Sequence, residues 1–149
     1  MRFLDSGTVK ETGYSTVVIE HKGNKYVGQA KCHPDDTFSE FTGCRYAQER
    51  AEINALKDEW KQKKHDCDEC RKYLIAVSQY AGFDKESSTA KAMFRQLNRC
   101  IKEVNKLAEI ISQKQFNLQI AIRQQDGFNS KIEQMRLNDN KENWNLFRE

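Results

Sequence analysis

Residues 46–81, YAQERAEINALKDEWKQKKHDCDECRKYLIAVSQYA, decide how most of this chain reads. Tyr46, Ile53, Trp60, Cys67, Leu74 and Ala81 recur at every seventh position, with Glu49, Leu56, Lys63, Cys70 and Val77 between them. A side-chain repeat of about 3.5 residues lays one stripe along a helix and turns it toward a partner helix. A second run supplies the partner: Leu97, Val104, Ile111 and Leu118 at one position, Phe94, Ile101, Ala108, Gln115 and Ile122 at the other. Each run covers roughly 40 residues, or roughly 60 Å at helical rise. The connector Gly82-Phe83-Asp84-Lys85-Glu86-Ser87 is short, so the two helices are expected to form an antiparallel hairpin.

Upstream of the helices the pattern changes. Tyr14 to His21 is rich in β-branched residues and reads as a strand. His21-Lys22-Gly23-Asn24 is turn chemistry, with Gly23 and Asn24 suited to positive φ, and Lys25 to Cys32 reads as the return strand. Phe3 to Thr12 offers an edge strand. Pro34 ends the sheet region, and Asp36, Thr37 or Ser39 can cap the first helix. Gly43 predicts either a close backbone approach or a break. Asp126-Gly127 predicts a stop for the second helix, after which Asn129 or Ser130 caps a short helix over 131–137, and Trp144, Leu146 and Phe147 punctuate a polar tail.

These readings give an α+β fold in a single domain over 1–149. A small N-terminal antiparallel β-sheet packs on a long antiparallel helical hairpin, and the whole is oligomeric. The β-hairpin region covers 1–36, the first long helix 37–81, the second 88–125, and a short helix and tail 126–149. Composition agrees: 38% hydrophobic against 32% charged residues is polar for a globule and ordinary for long exposed helices. A lone hairpin leaves apolar area uncovered, so a homo-oligomer through the helices is expected. The net charge of +3 suits a small anionic ligand and does not by itself argue for nucleic acid. No apolar run nears the ~20 residues of a membrane span, and Met1 to Asp5 carries no signal-peptide core. Five cysteines, an odd number, suit reduced thiols in a cytosolic setting.

Chemistry-bearing groups are few. Cys67-Asp68-Glu69-Cys70 has the spacing of half a zinc site, with Cys32, His33 and Cys44 as conceivable partners. Both cysteines also fall on the seam, where a thiol packs as a small hydrophobe. His33, Asp35 and Asp36 suit acid–base work or, equally, a turn before a helix. Lys57, Lys61, Lys63 and Lys64 are interleaved with Asp58 and Glu59, as on a solvated face. Lys63 and Glu49 on the seam predict a local opening or ion pair. No serine–histidine–aspartate set, phosphate loop or glycine fingerprint is present, so neither enzyme activity nor a cofactor is expected.

The hairpin tip is more suggestive. Phe83 is an aromatic in a connector that needs only polar residues, and Asp84 follows it. Lys91, Arg95, Asn98 and Arg99 recur at helical spacing on the next helix. An aromatic that stacks on a base, arginines that grip phosphates and an amide that reads polar edges are what a nucleotide requires. The plain alternative is that Phe83 plugs the hairpin end while the arginines are solvated.

The segments Val27-Gly28-Gln29-Ala30-Lys31-Cys32-His33-Pro34-Asp35-Asp36 and Phe41-Thr42-Gly43-Cys44-Arg45-Tyr46-Ala47-Gln48-Glu49-Arg50-Ala51, followed by long charged helices, resemble the first-described family of phage Thoeris anti-defence proteins. Those proteins are sponges. They sequester the cyclic ADP-ribose isomer made by a bacterial TIR-domain enzyme, and some also hold cyclic oligonucleotides. The resemblance implies a non-enzymatic protein in the cytoplasm of the infected host, with pockets between protomers. It implies a pocket drawn from Phe83, Asp84, Arg95, Asn98 and Arg99, reached by Arg123 of a neighbouring subunit, with Arg45 and Arg50 as further anion ligands. A different class of function, a coiled-coil adaptor or nucleic-acid accessory protein, would rest on the heptads alone.

Overall fold

The computed structural model describes residues 1–32 and 39–124 with their side chains, and the helical backbone on to residue 146. The expectations placed on His33, Asp35 and Asp36, on Asn129 and Ser130 as caps, and on the side chains of Trp144, Leu146 and Phe147 lie outside the described residues. Three strands, β1 (Arg2–Val9), β2 (Tyr14–His21) and β3 (Asn24–Lys31), precede two helices, α1 (Glu40–Ser78) and α2 (Ser88–Leu146). The strands form an antiparallel sheet in the order β1-β2-β3. The architecture is α+β, as the sequence patterns imply.

The β2–β3 turn is tighter than expected. His21 pairs with Asn24, which leaves Lys22 and Gly23 as a two-residue loop at φ 51° and 81°. Such a loop needs positive φ at both central positions, so the strain falls on Lys22 rather than Asn24. β1 slips register between Phe3 and Asp5, and Leu4 is the extra residue of a bulge on this edge strand.

One face of the sheet is alternate residues Ser15, Val17 and Ile19 of β2, with Gly28 and Ala30 of β3; all five are buried. Against it α1 lays Gly43, Ala47, Ala51 and Ala55, one small residue per turn. Small side chains on both surfaces bring helix and strand close. A Cβ on Gly28 would stand 1.9 Å from the Ala47 carbonyl oxygen and 2.4 Å from the Ala51 nitrogen, and one on Gly43 would stand 2.3 Å from Ser15 Oγ. Gly43 therefore marks a close approach, and the helix passes through it unbroken. Ser39 caps α1, accepting the Thr42 N–H at 3.3 Å.

The two helices then pair along the seam. Leu56, Leu107 and Ile111 form its core with Trp60 packed beside them, and Cys67 and Leu74 continue it, both buried. The α1 stripe follows the sequence reading, cysteines included. On α2 one stripe does too, with Ile111 buried and Leu97, Val104 and Leu118 half-buried. The second holds in part: Ile101, Ala108, Gln115 and Ile122 are half-buried, but Phe94 is exposed, and the neighbouring Met93 and Cys100 are half-buried and Leu107 buried. Apolar residues stand side by side at 93–94, 100–101 and 107–108, and a helical repeat alone cannot choose between neighbours 100° apart. Lys63 meets Glu103 of α2 at 3.6 Å and Glu59 at 3.9 Å, not Glu49.

The helix ends differ from expectation in opposite ways. α1 stops at Ser78, three residues early. α2 runs on to Leu146 through Asp126-Gly127. A glycine inside a helix costs only about 1 kcal/mol relative to alanine, and no proline occurs in the sequence of α2 to break it. Among the described residues no helix is long and apolar enough to cross a membrane.

Candidate functional site

β3 is a sheet edge, so alternate carbonyls face away from its neighbour and need partners. α1 supplies them. Arg50 Nη1 donates to the Gln29 carbonyl at 2.7 Å, and Asn54 Nδ2 donates to the Val27 carbonyl at 3.0 Å. Arg50, Asn54 and Lys57 stand at i, i+4 and i+7, one face of the helix beside the buried seam. The middle of α2 packs alongside this part of α1. Tyr46 Oη donates to the Ala121 carbonyl at 3.2 Å, and Lys114 Nζ lies 3.4 Å from Glu52 Oε2.

Between β3, α1 and α2 lies an open groove of about 790 Å³. Ile53, Leu118, Ile122 and Val27 give it apolar surface. Arg50 and Lys57 give it positive charge, and Gln29, Asn54, Gln115 and Gln119 give it amides. Among the described residues, no carboxylate, histidine, cysteine or serine lines it. The arrangement has the chemistry to hold an anion with flat polar edges: cations for charge, amides that both donate and accept, and an apolar floor. Among the described residues, the lining holds no nucleophile paired with a base.

A second polar cluster clamps the β2–β3 turn onto α1. Glu59 Oε2 lies 2.8 Å from His21 Nε2, and Glu59 Oε1 accepts from Lys22 Nζ at 2.5 Å. Burial pushes the Glu59 carboxyl up, but the hydrogen bonds from Lys22 and His21 outweigh it and hold it below the usual range. Tyr26 Oη donates to Asp58 Oδ2 at 2.6 Å, and that bond, followed by burial, pushes the phenol up. Each carboxylate is taken, so the cluster reads as a fastening.

The residues expected at the hairpin tip occupy a different place. Phe83 is half-buried in the connector, which begins some 33 Å beyond Lys57 at ~1.5 Å per residue. The Asp84 carboxylate accepts the Glu86 N–H at 2.9 Å, its carbonyl accepts the Ser87 hydroxyl at 2.9 Å, and Ser87 Oγ caps α2 through the Ala90 N–H at 3.2 Å. Asp84 is thus committed to the turn. Arg95, Asn98 and Arg99 are exposed along α2, with Arg95 Nε bonded to the Lys91 carbonyl at 3.3 Å. Arg45 and Arg123 are exposed at the other end of the hairpin, beside the Tyr46–Ala121 contact. Of the expected ligand residues, Arg50 is the one that lines the groove.

The zinc alternative does not assemble. Cys44 and Cys67 lie on one helix, about 35 Å apart at helical rise. Among the described residues no group of three or more histidines, cysteines or carboxylates is placed to hold a metal ion. Cys67 and Cys70 instead face Cys100 across the seam. Burial, then the two neighbouring thiols, pushes the Cys100 thiol up.

Sequence reasoning missed Gln29, Asn54, Lys57, Gln115 and Gln119. A signal existed: Arg50, Asn54 and Lys57 flank the α1 seam, and Gln115, Gln119 and Ile122 flank the α2 seam at the register that opposes them. No family model, no curated protein and no solved structure matches the chain.

Proposed function

We propose that this protein is a sponge for a cyclic nucleotide signal: it binds the molecule in the groove and holds it unchanged. The ligand of the proposal is a cyclic ADP-ribose isomer or a cyclic oligonucleotide, and the setting is a phage protein blocking Thoeris immunity in the host cytoplasm. The groove carries the reading. It is of ligand size, it combines Arg50 and Lys57 with four amides over apolar surface, and among the described residues it offers no acid–base pair for turnover. Part of it exists before any ligand arrives, because Arg50 and Asn54 are already fixed on the β3 edge. Preorganisation lowers the cost of binding, which a sponge competing with a receptor needs. Assembly through the helices is part of the proposal. Phe94, Ile110, Phe116 and Ile120 on α2 and Tyr73, Ile75 and Tyr80 toward the far end of α1 are exposed, more apolar area than an isolated hairpin keeps in water.

Titration calorimetry with cyclic ADP-ribose isomers and cyclic di- and trinucleotides tests this directly. Tight binding with intact ligand recovered after heat denaturation is expected, and a chemically altered ligand would overturn the non-enzymatic reading. Lys57→Gln is expected to weaken binding by about tenfold or more, the worth of one charge-assisted hydrogen bond. Phe83→Ala is expected to leave affinity unchanged. The reverse pattern would move the pocket to the hairpin tip, where a partner's arginine has to complete it.

A further inference from the structure

The side of α2 turned away from α1 carries a second feature, a line of cations. Lys91, Arg95, Asn98, Arg99, Lys102 and Lys106 are all exposed. At ~100° per residue these six fall within an arc of about 100°, centred opposite the seam. Between Lys91 and Lys106 that arc contains no carboxylate. Glu103 lies on the flank, where it meets Lys63 of α1 at 3.6 Å. Lys91 has Glu86 at 3.3 Å, and Arg95 uses Nε on the Lys91 carbonyl at 3.3 Å, which leaves its Nη groups for an outside acceptor. Arg99, Lys102 and Lys106 form no ion pair with any described residue.

We infer that this face binds the phosphate backbone of a double-stranded nucleic acid. The net charge of +3 is not the ground for this; the sorting of five cations onto one arc is. The line is convex and open. It encloses nothing, so it suits a polymer and not the small ligand of the groove. It spans about 22 Å, the length of roughly six phosphates along one strand. A helix with its side chains is ~10–12 Å across and the major groove ~12 Å wide, so α2 can lie in or along it while α1 stays behind. Arginines grip phosphate in bidentate fashion, and Asn98 sits among them with an amide for a phosphate or a base edge. An anionic membrane would call for apolar side chains on the same arc to enter the interface, and between Lys91 and Lys106 the arc holds none.

The test is fluorescence anisotropy of a labelled 20-base-pair DNA duplex with the full-length protein at 50 and 200 mM salt. Binding is expected, weakening on the order of a hundredfold between the two salts for about four phosphate contacts. The triple variant R95Q/R99Q/K102Q is expected to weaken binding by about thirtyfold or more at 50 mM salt and to flatten the salt dependence. The charge-matched triple K61Q/R71Q/K72Q, on α1, is expected to stay within about threefold of wild type, with melting curves showing both variants folded. Absence of duplex binding at 50 mM salt would overturn the proposal. So would equal weakening in both triples, and so would preferential binding to phosphatidylserine-containing vesicles. Neither triple touches the groove, so titrating the same proteins with cyclic nucleotides reports on the groove separately.

Discussion

The two halves of α1 are held in different ways. From Gly43 to Ala55 the helix lies between the sheet and α2, and Ala47, Ala51 and Ala55 are fully buried. From Cys67 to Ser78 its partner is α2, and Cys67 and Leu74 are the buried residues. The first half uses small residues every fourth position and gains stability from close backbone approach. The second uses larger residues at heptad spacing and gains it from a narrow seam. One continuous helix thus carries two packing codes. The junction is built to be rigid and the distal arm is free to fray, and the groove sits on the rigid half.

That contrast can be broken most sharply at Gly28. Gly28→Ala drives a methyl into the α1 backbone and is expected to cost about 3 kcal/mol or more, lowering the melting temperature by roughly 10 °C. A variant melting within a couple of degrees of wild type would mean the junction yields easily. Next comes the seam. Leu56→Ala, beside the junction, is expected to cost about 2–3 kcal/mol globally, whereas Leu74→Ala in the arm is expected to cost about half that and to act locally. Hydrogen exchange separates them: the arm variant should speed exchange over 62–78 and 88–105 and spare 44–58.

Glu59→Gln is a smaller perturbation, about 1 kcal/mol near neutral pH. Its sign in pH follows from the lowered carboxyl of Glu59. The stabilisation is complete above the unfolded carboxylate's pKa of ~4.3 and is lost as pH falls through the folded value below it. Denaturation curves of wild type and variant should therefore converge in acid. The smallest effect has the opposite sign. Ser15 is fully buried with an unpartnered hydroxyl, so Ser15→Ala is expected to be neutral to stabilising, by at most about 1 kcal/mol. A clear loss in urea denaturation would reveal a hydrogen bond at that hydroxyl.

Much of the fold was legible because it is written in local patterns. β2 begins and ends at Tyr14 and His21, the bounds read from its β-branched centre and turn chemistry, and Ser87 at the end of the connector caps α2. What escaped was whatever neighbours compete for. Phe94 is the larger hydrophobe, yet Met93 takes the seam side, because the register set by Leu107 and Ile111 governs the whole helix. The groove was harder still. Its members sit on three elements, each with an ordinary surface composition, and only the packing of both β3 and α2 against α1 brings them together. Arg50 was read from the sequence as a candidate anion ligand, and it lines the groove. That its guanidinium would be anchored on a strand carbonyl was not visible, because nothing in the sequence names the unpaired edge.

That Gln29 and Gln119 line one groove also has a meaning for how the chain folds. The two hairpin strands pair locally, and the helices can zip outward from their connector at low loop-closure cost. The groove lies at the far end of that zipper. Its walls are contributed by residues about 90 positions apart, so it closes late in folding. A partly folded or truncated chain would keep most of its helix signal and have no groove at all. Binding of the proposed ligand, more than circular dichroism, would measure how many molecules in a preparation have finished folding.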